Sequence, residues 1–259
     1  MHSWDAGQYL RFGAERTRSA FDLLARIDLA APRRIVDLGC GPGNSTVLLR
    51  ERWPQAAITG LDSSNGMLEA AQRDYPGIEF VIGDIAEWAP DEPYDLVFSN
   101  AALQWVGDHE RLLPRLIEAV APEGTLAVQM PSNYDFLTHK LMRQVAAEGS
   151  WRDRLADARP PSPVRPPEYY YDLLAPACAR LTLWETKYIQ VVESIDALID
   201  WLRGTGLRPF LARLDAAEQP VFIERYKALL AAAMPPRPDG KRLLPYPRLF
   251  FIATPKPRS

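Results

Sequence analysis

Three glycines, Gly39, Gly41 and Gly43, stand within five positions of the stretch IVDLGCGPGNST, residues 35–46. Glycine lacks a Cβ, so backbone this bare can turn sharply and lie directly against a ligand. The apolar run before it ends in Asp37, and a helical pattern opens just behind it in NSTVLLRERW. Strand, glycine loop and helix in that order form the nucleotide crevice of an open α/β sheet. A dinucleotide fingerprint would put its third glycine at position 44, where this chain has Asn44. The spacing is GxGxG instead. Three more strand-like runs end in polar residues: Asp62 in GLDSS, Asp84 in GDI and Asn100 in SNAALQW. Ligands in such sheets bind at the carboxyl ends of the strands. An acid after a strand is also a common cap for the next helix, so the weight lies in the set.

The elements that must position these residues follow a regular rhythm. The runs RRIVDLG, AAITGLD, IEFVIGD, YDLVFSN and GTLAVQM alternate with STVLLRERW, SNGMLEAAQRDY and HERLLPRLIEAV. The second group carries apolar residues at three- and four-residue spacing, which predicts amphipathic helices. The strands are apolar on successive positions, as expected of a parallel sheet covered on both faces. After Pro131 the rhythm changes. A helix is predicted over DFLTHKLMRQVAAE, then a proline-laden link, RPPSPVRPPE, that cannot hold regular structure for long. A helix near YYYDLLAPAC and a long strand, RLTLWETKYIQVV, come next. Helical stretches follow at 197–202, 209–214 and 220–233, and PRLFFIATP closes the chain as a strand. One domain over 1–259 is expected, with cap insertions at about 132–168 and 194–247.

The 259 residues are 47% hydrophobic, ample for a buried core. A net charge of -3 and a pI near 5.7 give no support for nucleic-acid binding, which needs a basic stripe. Arginine outnumbers lysine 25 to 5. Codon bias explains that as well as bidentate carboxylate recognition does. Two cysteines, Cys40 and Cys178, make no disulfide framework and fit a reducing cytoplasm. The charged, polar N-terminal stretch has no signal pattern, and no apolar run nears the ~20 residues of a membrane span. Three histidines, His2, His109 and His139, show no metal-ligand spacing. No metal, membrane or nucleic-acid partner is expected.

The GxGxG loop with its companions Asp62, Asp84 and Asn100 resembles motif I and the following motifs of class I S-adenosylmethionine-dependent methyltransferases. That resemblance implies a seven-stranded Rossmann-like α/β sheet, its last strand antiparallel, with helical insertions forming a cap. It also implies S-adenosylmethionine as cofactor and S-adenosylhomocysteine as product. Asp62 would then accept from both ribose hydroxyls, with Ser63 beside it. Asp84 would accept from the adenine amino group, with the Ile85 N–H nearby, and Asn100 would stand at the lip where the methyl group is presented. Asp37 would orient the loop or the cofactor's ammonium. Gly39, Gly41, Asn44 and the Cys40 N–H would line the approach. Met67 is either adenine-facing or ordinary core filling.

A closer resemblance runs over nearly the whole chain. WDAGQYLRFGAERTR, VQMPSN, THKLMRQVA, YYDLL, DWLRGTGLRPFL and PYPRLFFIA look like the trans-aconitate 2-methyltransferase family. The proline-rich link has no counterpart in that pattern. The resemblance implies esterification of a carboxylate of trans-aconitate to its monomethyl ester. A carboxylate is already ionised at neutral pH, with a pKa near ~4, so it needs no general base. No catalytic side chain beyond alignment and electrostatics is therefore expected. Within the family-like segments, Tyr9 and Arg16 are assigned to the cofactor, Arg16 to its methionine carboxylate. Arg208 and Arg248 are assigned to the small polycarboxylate substrate, with Gln104, Trp105, Asn133, His139, Tyr170 and Thr205 as further pocket residues. A malonyl-acyl carrier protein methyltransferase is the alternative within the class, although it would want a basic docking face. A dinucleotide-binding dehydrogenase is the alternative outside it. The expected assembly is a monomer or dimer.

Overall fold

Why the apolar runs form strands is clear from where their side chains go. The computed structural model describes residues 13–132, 136–158 and 164–257, with side chains from Thr17 onward. Helix α1 (Gly13–Leu24) comes first, and strands then alternate with helices: β1 (Arg34–Leu38), α2 (Asn44–Arg52), β2 (Ala57–Asp62), α3 (Asn65–Asp74), β3 (Glu79–Ile82) and β4 (Tyr94–Asn100). A short turn at Leu103–Trp105 leads to α4 (His109–Glu118) and β5 (Val120–Pro131). The remaining elements are α5 (Leu137–Ala146), α6 (Arg152–Leu155), α7 (Pro167–Leu174), β6 (Cys178–Val192), α8 (Ile195–Arg203), α9 (Arg208–Leu211), α10 (Glu218–Ala233) and β7 (Arg242–Pro255).

The strands form one seven-stranded sheet in the order β3-β2-β1-β4-β5-β7-β6. Strands β1 to β5 pair in parallel, and β7 runs antiparallel to β5. Side chains alternate between the two faces along each strand. On one face Val36, Leu38, Val97, Leu126 and Val128 pack with Leu112 and Leu116 of α4 and Tyr170 of α7. Fully burying a leucine there contributes about 1.5–3 kcal/mol. The register places Asp37, Phe98, Asn100, Gln129 and Arg248 on the opposite face. Helix α1 lies over that face, burying Ala20 and Leu23.

The helices form for local reasons. Asp108 caps α4, its carboxylate accepting the Arg111 N–H, and Ser194 caps α8 by accepting the Ala197 N–H. Pro167 starts α7, where its missing N–H costs nothing. Two features were not anticipated from sequence. Helix α1 lies outside the segments whose spacing predicts helices, and the four-residue α6 is too short to show a period.

The described residues divide into two compact units. The first runs to Pro131 and includes Val164–Thr186 and the chain from Arg248 onward; the second comprises Ser132–Pro163 and Lys187–Pro247. In the second unit α5 packs on α10, where the Tyr226 hydroxyl donates to the Thr138 carbonyl at 3.1 Å. Phe222 is fully buried there, edge-on to Trp151 and stacked with Phe210.

Candidate active site

The glycine loop is held against the sheet by backbone bonds. The N–H groups of Gly39 and Cys40 both donate to the Leu61 carbonyl, at 2.7 and 3.0 Å. Gly39 has φ 75°, and a Cβ there would lie 2.2 Å from the Ala102 Cβ. No other residue fits that approach. Gly41 also has positive φ, 57°, yet a Cβ on it would meet no atom within 4 Å. It opens onto a cleft of about 290 Å³ whose walls include Asp62, Ser63, Met67, Asp84, Ile85 and Trp105. A smaller pocket of about 40 Å³ shares Gly39, Gly41, Pro42 and Ala101 with that cleft. Thr17 and Ala20 of α1, Cys40, Asn44 and Asn100 line it.

Asp37 sits beneath the loop with no exposure. The Ser45 and Thr46 hydroxyls each donate to its Oδ2 at 2.7 Å, tying the first turn of α2 to the end of β1. Its Oδ1 is buried without a hydrogen-bond partner. Burial pushes the carboxyl up to about 6; the two hydroxyls pull it back, and nearby Asp62 raises it further. Asp62 accepts the Gly41 N–H on Oδ2 and the Ser64 N–H on Oδ1, both at 2.9 Å. Burial raises its pKa as well, against the lowering effect of those backbone donors. The Cys40 thiol is driven far up, first by burial and then by the charges of Asp37 and Asp62. It is a packed, protonated thiol rather than a nucleophile.

Asp84 accepts the Ala86 N–H on Oδ1 at 2.8 Å and lines the cleft. Arg115 of α4 donates to the Ala86 and Trp88 carbonyls, at 2.6 and 2.8 Å. That fork fixes the segment carrying Asp84 and Ile85. At the lip, Asn100 accepts the Ser19 hydroxyl on Oδ1 at 3.2 Å. Ala101 follows with φ 56°, a sparsely populated conformation for a residue with a Cβ, and it lines both pockets. Its N–H donates to the Gln129 carbonyl at 2.9 Å, and its carbonyl accepts from Gln104 Nε2 at 2.6 Å.

Comparison with known proteins decides what this cleft belongs to. The family described as "Methyltransferase domain" matches residues 35–124. A trans-aconitate 2-methyltransferase of Azoarcus is 51% identical over 253 residues, 98% of this chain and 99% of the relative. One from Methylobacterium nodulans is 52% identical over 255 residues, 98% of each chain. The chain belongs to the trans-aconitate 2-methyltransferase family. Among solved structures, the YcgJ protein of Bacillus subtilis matches with a TM-score of 0.61 at 13% identity, covering 93% of this chain and 99% of that one. Haemonchus contortus phosphoethanolamine N-methyltransferase 2, in complex with S-adenosylhomocysteine, matches with a TM-score of 0.57 at 16% identity. It covers 92% of this chain and 53% of that one. The class I methyltransferase fold expected from the glycine motif is the observed one.

Within this trans-aconitate 2-methyltransferase family member, most residues assigned to the cofactor from sequence meet around the loop. Gly39, Gly41, Asp62, Ser63, Met67, Asp84 and Ile85 line the larger cleft, and Cys40, Asn44 and Asn100 the smaller pocket. Met67 is buried and lines the cleft at once, so the two readings of it are compatible. Trp105 is 44% exposed on the cleft wall. Tyr170 is a correction. It is fully buried, its hydroxyl shared between His109 Nδ1 at 3.0 Å and the Arg165 N–H at 3.2 Å, and its ring stacks on Phe251. It is a core tyrosine with its polar end already satisfied, not a pocket residue.

Arg248 is buried in β7, where Nη1 donates to Gln129 Oε1 at 3.3 Å. The second unit holds His139, buried and 3.1 Å from the Thr138 hydroxyl, Thr205, and Arg208 at the start of α9. Burial lowers the Arg208 pKa. Tyr9, Asn133 and the Arg16 side chain lie outside the described residues, as do positions 159–163 of the proline-rich link. Sequence reasoning missed Ala101, Ala102, Val106 and Gly83 of the cleft wall, along with Arg115 and Gln129. Gln129 did carry a signal, since it is a lone amide in the apolar run LAVQM.

Proposed function

We propose that this chain transfers the methyl group of S-adenosylmethionine to a carboxylate of trans-aconitate, giving a monomethyl ester and S-adenosylhomocysteine. The observation that carries the reading is identity of about half to named trans-aconitate 2-methyltransferases over 98% of the chain. That similarity extends well past the strands that all such enzymes share.

The chain's own residues fit the cofactor. The cleft offers Asp62, whose two oxygens each accept one backbone N–H and retain further lone pairs for ribose hydroxyls. Asn44 Oδ1 is buried without a partner beside the loop, and an ammonium donor would satisfy it. Asp84 and the Ile85 N–H would take the adenine edge, and Arg16 and Tyr9 the methionine end. When bound, S-adenosylmethionine supplies a methyl group made electrophilic by its sulfonium. The protein's task is then to aim an ionised carboxylate oxygen along the sulfur–methyl axis and to exclude water. Among the described residues no histidine lines the cleft, which is compatible with an acceptor that has no proton to lose.

The residues assigned to the acceptor on this reading are Gln104, Trp105, Asn133, His139, Thr205, Arg208 and Arg248, while Asn100 stays with the cofactor. On this reading the chain is one methyltransferase domain with insertions at about 132–168 and 194–247. That the second compact unit is built from nearly those segments supports it. Among the described residues no helix is long and apolar enough to cross a membrane. With the acidic net charge and two cysteines, we place the enzyme in the cytoplasm, as a monomer or dimer independent of nucleic acid. Incubation with S-adenosylmethionine and trans-aconitate should yield the monomethyl ester and an equal amount of S-adenosylhomocysteine by mass spectrometry. Ester absent from a protein that binds S-adenosylhomocysteine would contradict the proposal.

A further inference from the structure

Asn100, Gln129 and Arg248 form a polar row across the carboxyl ends of β4 and β5 and the neighbouring part of β7. Asn100 stands opposite Gln129 in the parallel pair, and Arg248 opposite Pro131, two residues on. Two-residue periodicity puts all three on one face of the sheet. Phe98, Ala127 and Phe250 are buried on that face around Gln129. Asn100 borders the pocket beside the glycine loop, so the row leads away from the cofactor loop at the level of the strand ends.

Gln129 is fully buried, and its amide is oriented by Arg248, which can only donate. Oε1 must therefore face the guanidinium, and Nε2 points elsewhere. Nε2 is buried with no hydrogen-bond partner. A buried donor left unmade is costly and uncommon, so a partner from outside the folded chain would be favoured there. An anionic oxygen satisfies such a donor best.

Resting on the reading of the enzyme as a trans-aconitate methyltransferase, we infer that Gln129 is a specificity-determining residue: it fixes the Arg248 guanidinium through Oε1 and donates through Nε2 to a carboxylate of the acceptor. An arginine alone would attract any anion. An arginine held in one plane beside an amide donor selects a carboxylate at one place and orientation.

Gln129→Glu separates this role from a structural one. The substitution keeps the side chain's length and the acceptor for Arg248 but removes the Nε2 donor. Steady-state methyl transfer to trans-aconitate should show KM raised about 10- to 100-fold, the cost of a hydrogen bond to a charged group. Calorimetric affinity for S-adenosylhomocysteine should stay within about twofold. Gln129→Met, lacking both polar atoms, should raise KM at least as much. Its melting temperature, with and without S-adenosylhomocysteine, shows whether it is folded. If Gln129→Glu folds and keeps the wild-type KM, Gln129 is at most a strut for Arg248 and the inference is overturned, whatever Gln129→Met does. If the wild type binds S-adenosylhomocysteine but esterifies no tricarboxylate, the acceptor reading fails, and this inference with it. The wild-type control therefore tells the two failures apart.

Discussion

The Asp62 carboxylate accepts the Gly41 N–H at 2.9 Å, so the acid proposed to hold the cofactor's ribose also holds the loop that faces it. Binding and loop geometry are coupled through one side chain. Asp62→Ala should weaken S-adenosylhomocysteine binding by about 2–4 kcal/mol, from loss of a charged acceptor making several bonds. Isothermal calorimetry measures this directly, and unchanged affinity would remove Asp62 from the site.

The glycines of the loop make different predictions because their surroundings differ. Gly39→Ala would drive a Cβ to 2.2 Å from that of Ala102 at φ 75°, so it should destabilise the fold by about 2–5 kcal/mol. Gly41→Ala meets nothing within 4 Å and should cost only about 1 kcal/mol of stability. It opens on the cleft, however, so cofactor affinity should fall at least about tenfold, as for any group intruding on a close backbone approach. Urea unfolding and calorimetry on both variants check the pair. Equal loss of stability, with binding intact in Gly41→Ala, would reverse the assignment.

Burial holds the Asp37 carboxyl at about 6, above the usual 3.8. The native state therefore keeps a proton that the unfolded chain has lost between about pH 4 and 6. Stability contributed by this group falls as pH rises through that window and is level above it. A two-unit shift corresponds to roughly 3 kcal/mol. Asp37→Asn carries no charge at any pH. The difference in unfolding free energy between wild type and Asp37→Asn should move against the wild type by about that amount from pH 4 to 7. Denaturant unfolding at several pH values reads it. A difference constant with pH would show that Asp37 is not held in this way.

Much of the first unit was legible because its strands are buried on both faces and its turns carry glycine or acids. The runs ending in Asp37, Asp62 and Asn100 became β1, β2 and β4 with little change in bounds. Strand β5 begins at Val120, earlier than GTLAVQM suggests. Val120 closes the helical run HERLLPRLIEAV in the sequence, yet it pairs with Tyr94 before the register shifts. Assigning Tyr170 to the pocket rests on residue type, which does not rank the three tyrosines of YYYDLL. Their phase decides, since Tyr170 and Leu174, four residues apart, share the inward face of α7. Gln129 was passed over because a glutamine within a strand signals chemistry only when its neighbours in the sheet are known. No local pattern announces Arg115, whose bonds to Ala86 and Trp88 join residues far apart in sequence.

Arg208 opens α9 ahead of Pro209, which limits the directions the arginine can take. Partial burial lowers its pKa. If it grips a substrate carboxylate, Arg208→Ala should cost about 2–4 kcal/mol in kcat/KM for trans-aconitate with cofactor affinity intact. Arg208→Lys keeps the charge but not the planar fork, and should recover only part of the loss. A surface role predicts under ~1 kcal/mol and no change in preference between tri- and dicarboxylates.

The rate of tritiated methyl transfer from S-adenosylmethionine across a panel of acceptors decides whether trans-aconitate is the substrate. The panel holds trans-aconitate, other small di- and tricarboxylates, and malonyl-acyl carrier protein. The expected product is a base-labile methyl ester, with kcat/KM for trans-aconitate above every other acceptor by at least about tenfold, the scale that one well-placed polar contact supplies. Transfer to the carrier protein in preference to trans-aconitate, or to no small polycarboxylate at all, would contradict trans-aconitate as the substrate.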